Sequence, residues 1–372
     1  MKTNRIILLT HEYPPEKGGA GTYCKEIAES AHQQKINIEV WAPCGSENNS
    51  TFHVKEMEWK GSQSWLSSIL LILNLRSFLF KKTEALTVHI AEPGACRAFI
   101  RLGWLLPNNI QKIVTLHGSE LISFTRNPLE RILFRKLLIS STKIHVLSKY
   151  NQDQCIKFCK QSIDKIRLIP GAPSSMVLNN QSRQIICPDT KILQILCVGR
   201  IHPRKGQLQL LQALQLIPRE LQNNIRVVFA GPINKTSYQK KLKGVALSTR
   251  AEIIFTGEIS DKDLRGLYQK STIFALTPIL TKKSVEGFGF VYLEASAFGL
   301  PIIATKVGGV EDAVRHGETG LLSNPSDAEK LKNNIVTLIE NPSLRKKFGT
   351  HGITWAKRHT WKTVAHKLYR VN

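Results

Sequence analysis

Short runs of apolar, often β-branched residues recur along the chain, and a segment of helical length follows each one. In the first half the runs are Ile6–Thr10, Ile38–Ala42, Leu86–Ile90, Ile113–Leu116, Ile144–Leu147 and Ile166–Ile169. In the second half they are Leu193–Val198, Ile225–Ala230, Ile253–Thr256, Ile273–Leu276 and Ile302–Thr305. Strands that read as continuous apolar runs are covered on both faces, and their alternation with helices predicts parallel sheets with crossover helices. Between the two sets the stretch PGAPSSMVLNNQSRQIICPDT is polar, holds three prolines and has no helical or strand period, which marks a linker. The predicted architecture is α/β, with two Rossmann-like doubly wound domains facing a central cleft. The expected boundaries are 1–170 for the first domain, 171–190 for the linker, 191–355 for the second domain and 356–372 for a C-terminal helix that crosses back to the first. Ligands of such sheets bind outside the carboxyl ends of the strands, so the cleft is where chemistry is expected.

Composition narrows the class. The 372 residues suit two to three domains at roughly 150 residues each. With 42% hydrophobic and 22% charged residues, disordered and fibrous readings fail. Fifty-two Lys and Arg against 28 Asp and Glu leave a net charge of +24, which favours anionic partners: phosphates, acidic lipid headgroups or nucleic acid. The seven cysteines are odd in number and scattered, as expected of reduced thiols, and Cys155 with Cys159 lacks a second pair or a His to complete a zinc set. The apolar run near the N-terminus is too short for a signal peptide. The longest apolar stretch, Trp65 to Phe80, contains Asn74 and Arg76 and falls short of the ~20 residues of a membrane span. A cytoplasmic location is therefore expected.

Chemistry concentrates at strand ends. The first strand runs into HEYPPEKGGAGTYC, where Gly18 and Gly19 precede a helix expected to start near Thr22. Glycines there let the backbone approach a phosphate, and a helix start supplies unpaired N–H groups. The same stretch half resembles a dinucleotide fingerprint, with Glu39 about 20 residues on at the expected end of the second strand, but its third glycine is missing. His117 follows the strand ending at Leu116, where its imidazole or carbonyl can meet a polar ligand. After Val198, Arg200 and Lys205 suit a diphosphate, the first bidentate and the second as a point charge. The stretch SVEGFGFVYLEA places Glu286 before a helix that Gly287, Phe288 and Gly289 open, with Phe290 following and Glu294 about two turns in. Two carboxylates suited to hydroxyls, with a helix start between them suited to phosphates, fit a nucleotide sugar.

PPEKGGAGTY, HGSE, VGRIHPRKGQ, EGFGFVYLEASAFGLPIIATKVGGVEDAV and TGLL stand in an order and spacing that cover nearly the whole chain. Together they resemble the family four glycosyltransferases, retaining enzymes of the GT-B fold. The resemblance implies that Arg200 and Lys205 bind the donor diphosphate, Glu286 the donor sugar and Glu294 the ribose, with Gly19 and His117 lining the reaction centre. Gly18 and Gly287 to Phe290 join the donor site. VEGFGFVYLEA and PPEKGG look like mannosyltransferases of the phosphatidylinositol and surface-polysaccharide kind, which implies GDP-mannose as donor and a glycan or lipid-linked acceptor. The loop TPILTKKS, with Lys282 and Lys283, departs from the family pattern. No cofactor beyond the donor substrate is expected, and the sequence carries no signal for oligomeric state.

Three readings compete with parts of this picture. Asp261-Lys262-Asp263 spells a metal-binding D-x-D, but Ser260 or Asp261 reads as a helix N-cap with acids in the first turn, so no metal is expected. WLSSILLILNLRSFLF, followed by Lys81 and Lys82, reads either as a core helix or as one dipped into an anionic membrane surface beside Arg126, Arg131, Arg135 and Lys136. The second option makes the protein peripheral on the inner face of the cell membrane. For the whole chain, a basic nucleic-acid-binding protein and a nicotinamide-dependent Rossmann enzyme are the rival functions. The first lacks a helix-turn-helix, RRM or finger signature, and aromatics are only 7%.

Overall fold

The computed structural model describes residues 5–16, 18–47, 52–59, 61–80, 86–107, 110–178, 192–233 and 235–370. They divide into two compact units, 1–171 together with 360–372, and 172–359. The first unit is built on β1 (Arg5–Leu9), β2 (Ile38–Pro43), β3 (Val54–Met57), β4 (Leu86–Ile90), β5 (Gln111–Leu116), β6 (Lys143–Val146) and β7 (Ile166–Leu168). These pair in parallel in the order β3-β2-β1-β4-β5-β6-β7. Helices Trp65–Phe80, Pro93–Leu102 and Pro128–Ser140 lie side by side with Pro93–Leu102 in the middle. Their inner residues, among them Leu71, Ile72, Leu75, Phe99 and Phe134, share one apolar core with Ile7, Val88, Val114 and Ile144 of the strands.

The second unit repeats the plan with β8 (Leu193–Val198), β9 (Ile225–Ala230), β10 (Glu252–Gly257), β11 (Ile273–Leu276), β12 (Ile302–Thr305) and β13 (Gly320–Ser323). Its parallel order is β10-β9-β8-β11-β12-β13. In both sheets the strand order reverses beside the first strand, between β1 and β4 and between β8 and β11. In open sheets of this kind the carboxyl ends of the strands beside such a reversal are where ligands bind.

Several expectations change. The edge strands β3 and β13 were not anticipated; they read VKEM and GLLS, neither of which is a continuous apolar run. The helix after β1 starts at Gly19 and not near Thr22. Glu39 lies near the start of β2, bonded to Arg5 and to the Trp41 indole, so it is far from the carboxyl end where a ribose would need it. Of the expected linker, Ala172 to Ser174 are buried and Ser175–Leu178 is a helical turn packed on Asp261–Lys270 and Phe290–Ala297; positions 179–190 lie outside the described residues. The expected C-terminal helix is two elements. Pro342–Lys357 ends within the second unit, whereas Trp361–Tyr369 belongs to the first and packs on Gly19–Gln33.

That last helix is held by a buried polar network across β4, β5 and β6. The Tyr369 hydroxyl lies 2.7 Å from His89 Nδ1, and His89 Nε2 lies 2.7 Å from Thr115 Oγ1. The Tyr23 hydroxyl is 3.0 Å from Thr115 Oγ1 and 2.9 Å from His145 Nδ1. His145 Nε2 donates to the Ile169 carbonyl at 2.8 Å, so its Nδ1 accepts from Tyr23 when the ring is neutral. Burial lowers the His145 pKa to about 4 and that of His89 well below its ordinary value, so both rings are uncharged at neutral pH.

A histidine with a depressed folded pKa takes its proton first in the unfolded chain. Stability present above pH 6.5 is therefore lost as pH falls toward about 4, by on the order of 3 kcal/mol for His145. Urea unfolding at several pH values should show this loss, and His145→Gln, which cannot charge, should lose less on acidification than the wild type. Equal losses would show that acid acts elsewhere.

Candidate active site

In the second unit, the loop leaving β8 turns through Gly199 and Arg200, and His202 then caps a short turn, Pro203–Lys205, by accepting from the Arg204 N–H at 3.2 Å. Gly206 ends the turn in the left-handed region with φ +73°, and a Cβ there would sit 1.6 Å from the Thr277 carbonyl oxygen. That close approach joins the β8 loop to the β11 loop. Thr277 Oγ1 donates to the Gly206 carbonyl at 2.7 Å, and the Ile279 N–H donates to the Arg204 carbonyl at 2.9 Å.

The two loops meet at Glu286. Its Oε2 accepts from Arg204 Nη1 at 2.6 Å and from Lys205 Nζ at 2.8 Å. The side chains are 8%, 14% and 13% exposed, so water screens the cluster little. Burial pushes the Glu286 carboxyl up, but the charges and hydrogen bonds of Lys205 and Arg204 overrule it and hold its pKa at about 2. Burial draws the Lys205 ammonium below its ordinary range, and Glu286 offsets part of this. The Glu286 backbone is fixed from the other side, where its carbonyl accepts from the Gly309 N–H at 2.9 Å. Gly308, with φ +61°, leaves no room for a Cβ, which would lie 2.1 Å from that carbonyl.

Gly289 is the N-cap of helix Phe290–Ala297, and no side chain caps it. The Tyr292 hydroxyl, two residues into that helix, donates to the Leu276 carbonyl at 2.9 Å and ties it to the end of β11. Glu294 is buried further along and accepts from the Tyr268 hydroxyl at 2.9 Å.

The expected donor residues are thus partly assembled. Lys205, Glu286, Gly287 and Gly289 lie on two stitched loops at the reversal point of the sheet. Phe288 is 2% exposed and packs its ring on Phe290 and His359, so its side chain is core and only its backbone is left for a ligand. Arg200 is exposed and lies outside the Glu286 cluster; Arg204 stands there in its place. Sequence reading missed Arg204 because cations are common in loops and nothing in HPRKG singles it out. Tyr268 was missed because its partner is 26 residues away. Ser260 caps Asp261–Lys270, accepting from the Asp263 N–H at 3.1 Å and donating to Asp263 Oδ2 at 2.6 Å.

In the first unit, His11 follows β1 and Glu92 follows β4. His11 Nδ1 lies 3.0 Å from Glu92 Oε1, and Glu92 caps Pro93–Leu102. Gly18 packs against Glu12, whose carboxylate accepts from the Gly21 N–H at 3.2 Å, so an acid already occupies part of this helix start. Gly19 is exposed, with open space where a Cβ would be. His117 follows β5 and donates from Nε2 to the Ala91 carbonyl at 2.8 Å. Glu120 accepts from the His117 and Gly118 N–H groups at 3.0 and 2.7 Å, and the Tyr23 ring meets the imidazole edge-on at 5.0 Å.

Two family models match the chain in succession, Glycosyltransferase Family 4 over residues 17–172 and Glycosyl transferases group 1 over 179–355. The chain belongs to the family four glycosyltransferases. It is 23% identical, over 98% of this chain and 97% of the relative, to a GDP-mannose-dependent alpha-(1-6)-phosphatidylinositol monomannoside mannosyltransferase of Mycobacterium tuberculosis. A GDP-mannose-dependent monoacylated alpha-(1-6)-phosphatidylinositol monomannoside mannosyltransferase of Corynebacterium glutamicum is 24% identical, over 99% of this chain and 98% of the relative. Among solved structures, HepE from Anabaena in complex with UDP superposes with a TM-score of 0.77 at 18% identity, with 98% of each chain covered. Sucrose-phosphate synthase from Thermosynechococcus elongatus gives the same TM-score and identity, with 98% of this chain and 97% of that chain covered. The fold of this glycosyltransferase is therefore GT-B.

The geometry separates two glycines. Gly308→Ala should displace Glu286 and lower the thermal midpoint by several degrees, because both the φ and the carbonyl contact must change. Gly19→Ala, with nothing near its Cβ, should leave the midpoint within about a degree. Equal shifts in thermal unfolding would contradict the loop packing described.

Proposed function

We propose that this glycosyltransferase is a retaining, metal-independent hexosyltransferase that moves mannose from GDP-mannose to a glycan or lipid-linked acceptor in cell-surface polysaccharide or glycolipid synthesis. The observation that carries the reading is the buried Arg204–Lys205–Glu286 cluster at the reversal point of the second sheet, on the loops that lead into Phe290–Ala297. The names of the mannosyltransferase relatives support the donor. The second unit takes the nucleotide sugar and the first unit the acceptor.

In this reading Lys205, Arg200 and backbone N–H groups at Gly287 to Phe290 neutralise the diphosphate. Glu286 accepts from hydroxyls of the donor sugar, and Glu294 from the ribose. The bond from the anomeric carbon to the phosphate oxygen breaks as the acceptor oxygen bonds to the same face. The acceptor's proton passes to the departing diphosphate, so no covalent intermediate on the protein is needed. Cations fixed in a buried site stabilise the charge on the leaving group, a role that a metal plays in other folds. His117 uses Nε2 on the Ala91 carbonyl, which leaves Nδ1 as the ring atom for a polar ligand of the first unit.

Incubation with GDP-mannose, UDP-glucose, UDP-galactose or UDP-N-acetylglucosamine, followed by NMR of the product linkage, tests the reading. Transfer is expected from GDP-mannose, with an α-linked product and no loss in EDTA. Glu286→Ala and Lys205→Ala should each lose a hundredfold or more, as expected where roughly 3–4 kcal/mol of transition-state stabilisation is removed. A β-linked product from the α-linked donor, or activity that EDTA removes and manganese restores, would overturn the mechanism. A preference for UDP would overturn only the donor.

A peripheral seat on the inner face of the cell membrane is part of the proposal. The core reading of Trp65–Phe80 fits one side of the helix, and the exposed apolar side chains of the other side support the membrane reading. Leu71, Ile72 and Leu75 are fully buried, whereas Trp65, Leu66, Ile69, Leu73 and Phe80 are exposed at near-helical spacing. On Pro128–Ser140, Leu129, Ile132 and Ile139 are exposed beside Arg131, Arg135 and Lys136. Lys81 and Lys82 lie outside the described residues, and no described helix is long and apolar enough to cross a membrane. Apolar side chains ringed by cations suit an anionic bilayer surface. Cosedimentation with vesicles containing phosphatidylglycerol should show binding that salt weakens over a Debye length of ~10 Å at 0.1 M, and that Leu66→Ser with Leu73→Ser abolishes. Binding unchanged in that folded variant would remove the membrane face.

A further inference from the structure

Lys205 and Arg204 both reach one oxygen of Glu286, but they are not held alike. Lys205 Nζ makes its described hydrogen bond to Glu286 alone, from a flexible stem. Arg204 is fixed at several atoms. Its N–H donates to His202 Nδ1, its carbonyl accepts from Ile279, and its Nη1 bonds the Val285 carbonyl at 3.3 Å as well as the carboxylate. Arg204 thus belongs mechanically to the loop that carries Glu286. No described residue donates to Glu286 Oε1, which lies on the Gly289 side, 3.7 Å from where a Cβ of that glycine would be.

A diphosphate arriving beside Lys205 competes with Glu286 for the ammonium. If Lys205 were the sole counterion, its departure would leave a buried carboxylate without a partner and next to a second anion. With Arg204 in place, the carboxylate keeps one cation on Oε2 while Oε1 stays open toward the helix start. We infer that Arg204 is the positioning residue of the donor sugar site, holding the Glu286 carboxylate in place when Lys205 turns to the phosphate. The inference rests on the donor-site reading above. The other charged or titratable groups facing this centre are Lys205 itself, Arg200, which acts on Lys205, His202, whose ring accepts from the Arg204 N–H and is drawn below its ordinary pKa by burial and the neighbouring cations, the buried Cys197 thiol, which burial pushes up, and the Tyr292 hydroxyl, which is engaged by the Leu276 carbonyl.

The test compares a ligand that has the sugar with one that lacks it. Calorimetric titration of Arg204→Met with GDP should give an affinity within about twofold of wild type, whereas the additional affinity of GDP-mannose should be lost and kcat/KM should fall by about tenfold or more. Loss of the cation lets burial raise the Glu286 carboxyl, so the variant should show an acid limb in its kcat/KM profile at higher pH than the wild type, and Arg204→Lys should restore most of both properties. Arg204→Gln serves in the same assays if the methionine variant does not fold. A parallel loss of GDP and GDP-mannose affinity would make Arg204 a phosphate ligand, and unchanged values for both would make it a bystander; either result overturns the inference. Failure of the wild type to bind GDP or UDP would overturn the donor-site reading and this inference with it.

Discussion

A carboxylate withdrawn from water must be held by cations or hydrogen-bond donors, and Glu286 is held by two cations. Removing both would leave its charge buried without a partner, which costs more than a surface ion pair contributes. Much of the second unit is arranged around this requirement. The β8 loop brings Arg204 and Lys205, the β11 loop brings Glu286, and Gly206 and Gly308 let backbone come close enough on both sides to fix the distance between them. β8 and β11 are neighbours in the sheet, which sets their loops side by side, and the loop after β12 joins them through Gly309.

The first unit applies a similar constraint with neutral groups. Tyr23, His89, Thr115, His145 and Tyr369 satisfy one another in the interior without a net charge, and burial keeps the histidines uncharged. The network couples Trp361–Tyr369, the last helix of the chain, to the strands whose carboxyl ends lead to His117 and Glu92. Tyr23 stands in it and also meets the His117 ring, so the packing that anchors the helix also borders a residue of the expected reaction centre.

Most of the strands were legible because both faces of a parallel sheet are covered, which turns each into an apolar run. β3 and β13 escaped because an edge strand of four residues needs only one or two apolar positions, as in Val54 and Met57. Glu286 and Lys205 were legible as candidates because each is a charge beside a glycine at the end of a predicted strand or the start of a helix. Arg204 was not, since its role depends on a loop more than 80 residues away that only the folded sheet brings near. The same limit explains Phe288: its place beside Gly289 suggested ligand contact, whereas packing on His359 makes it core. Trp65–Phe80 was ambiguous because both its sides are apolar, and only the position of Pro93–Leu102 decides which side is inside.

The proposed donor site puts the nucleotide sugar's diphosphate between Lys205 and the start of Phe290–Ala297. A crystal structure with bound GDP tests it most directly. Diphosphate density is expected within hydrogen-bonding distance of Lys205 Nζ and the Gly287 to Phe290 backbone, with Arg204 still on Glu286. Diphosphate density elsewhere, such as beside a metal held by Asp261 and Asp263, would contradict it.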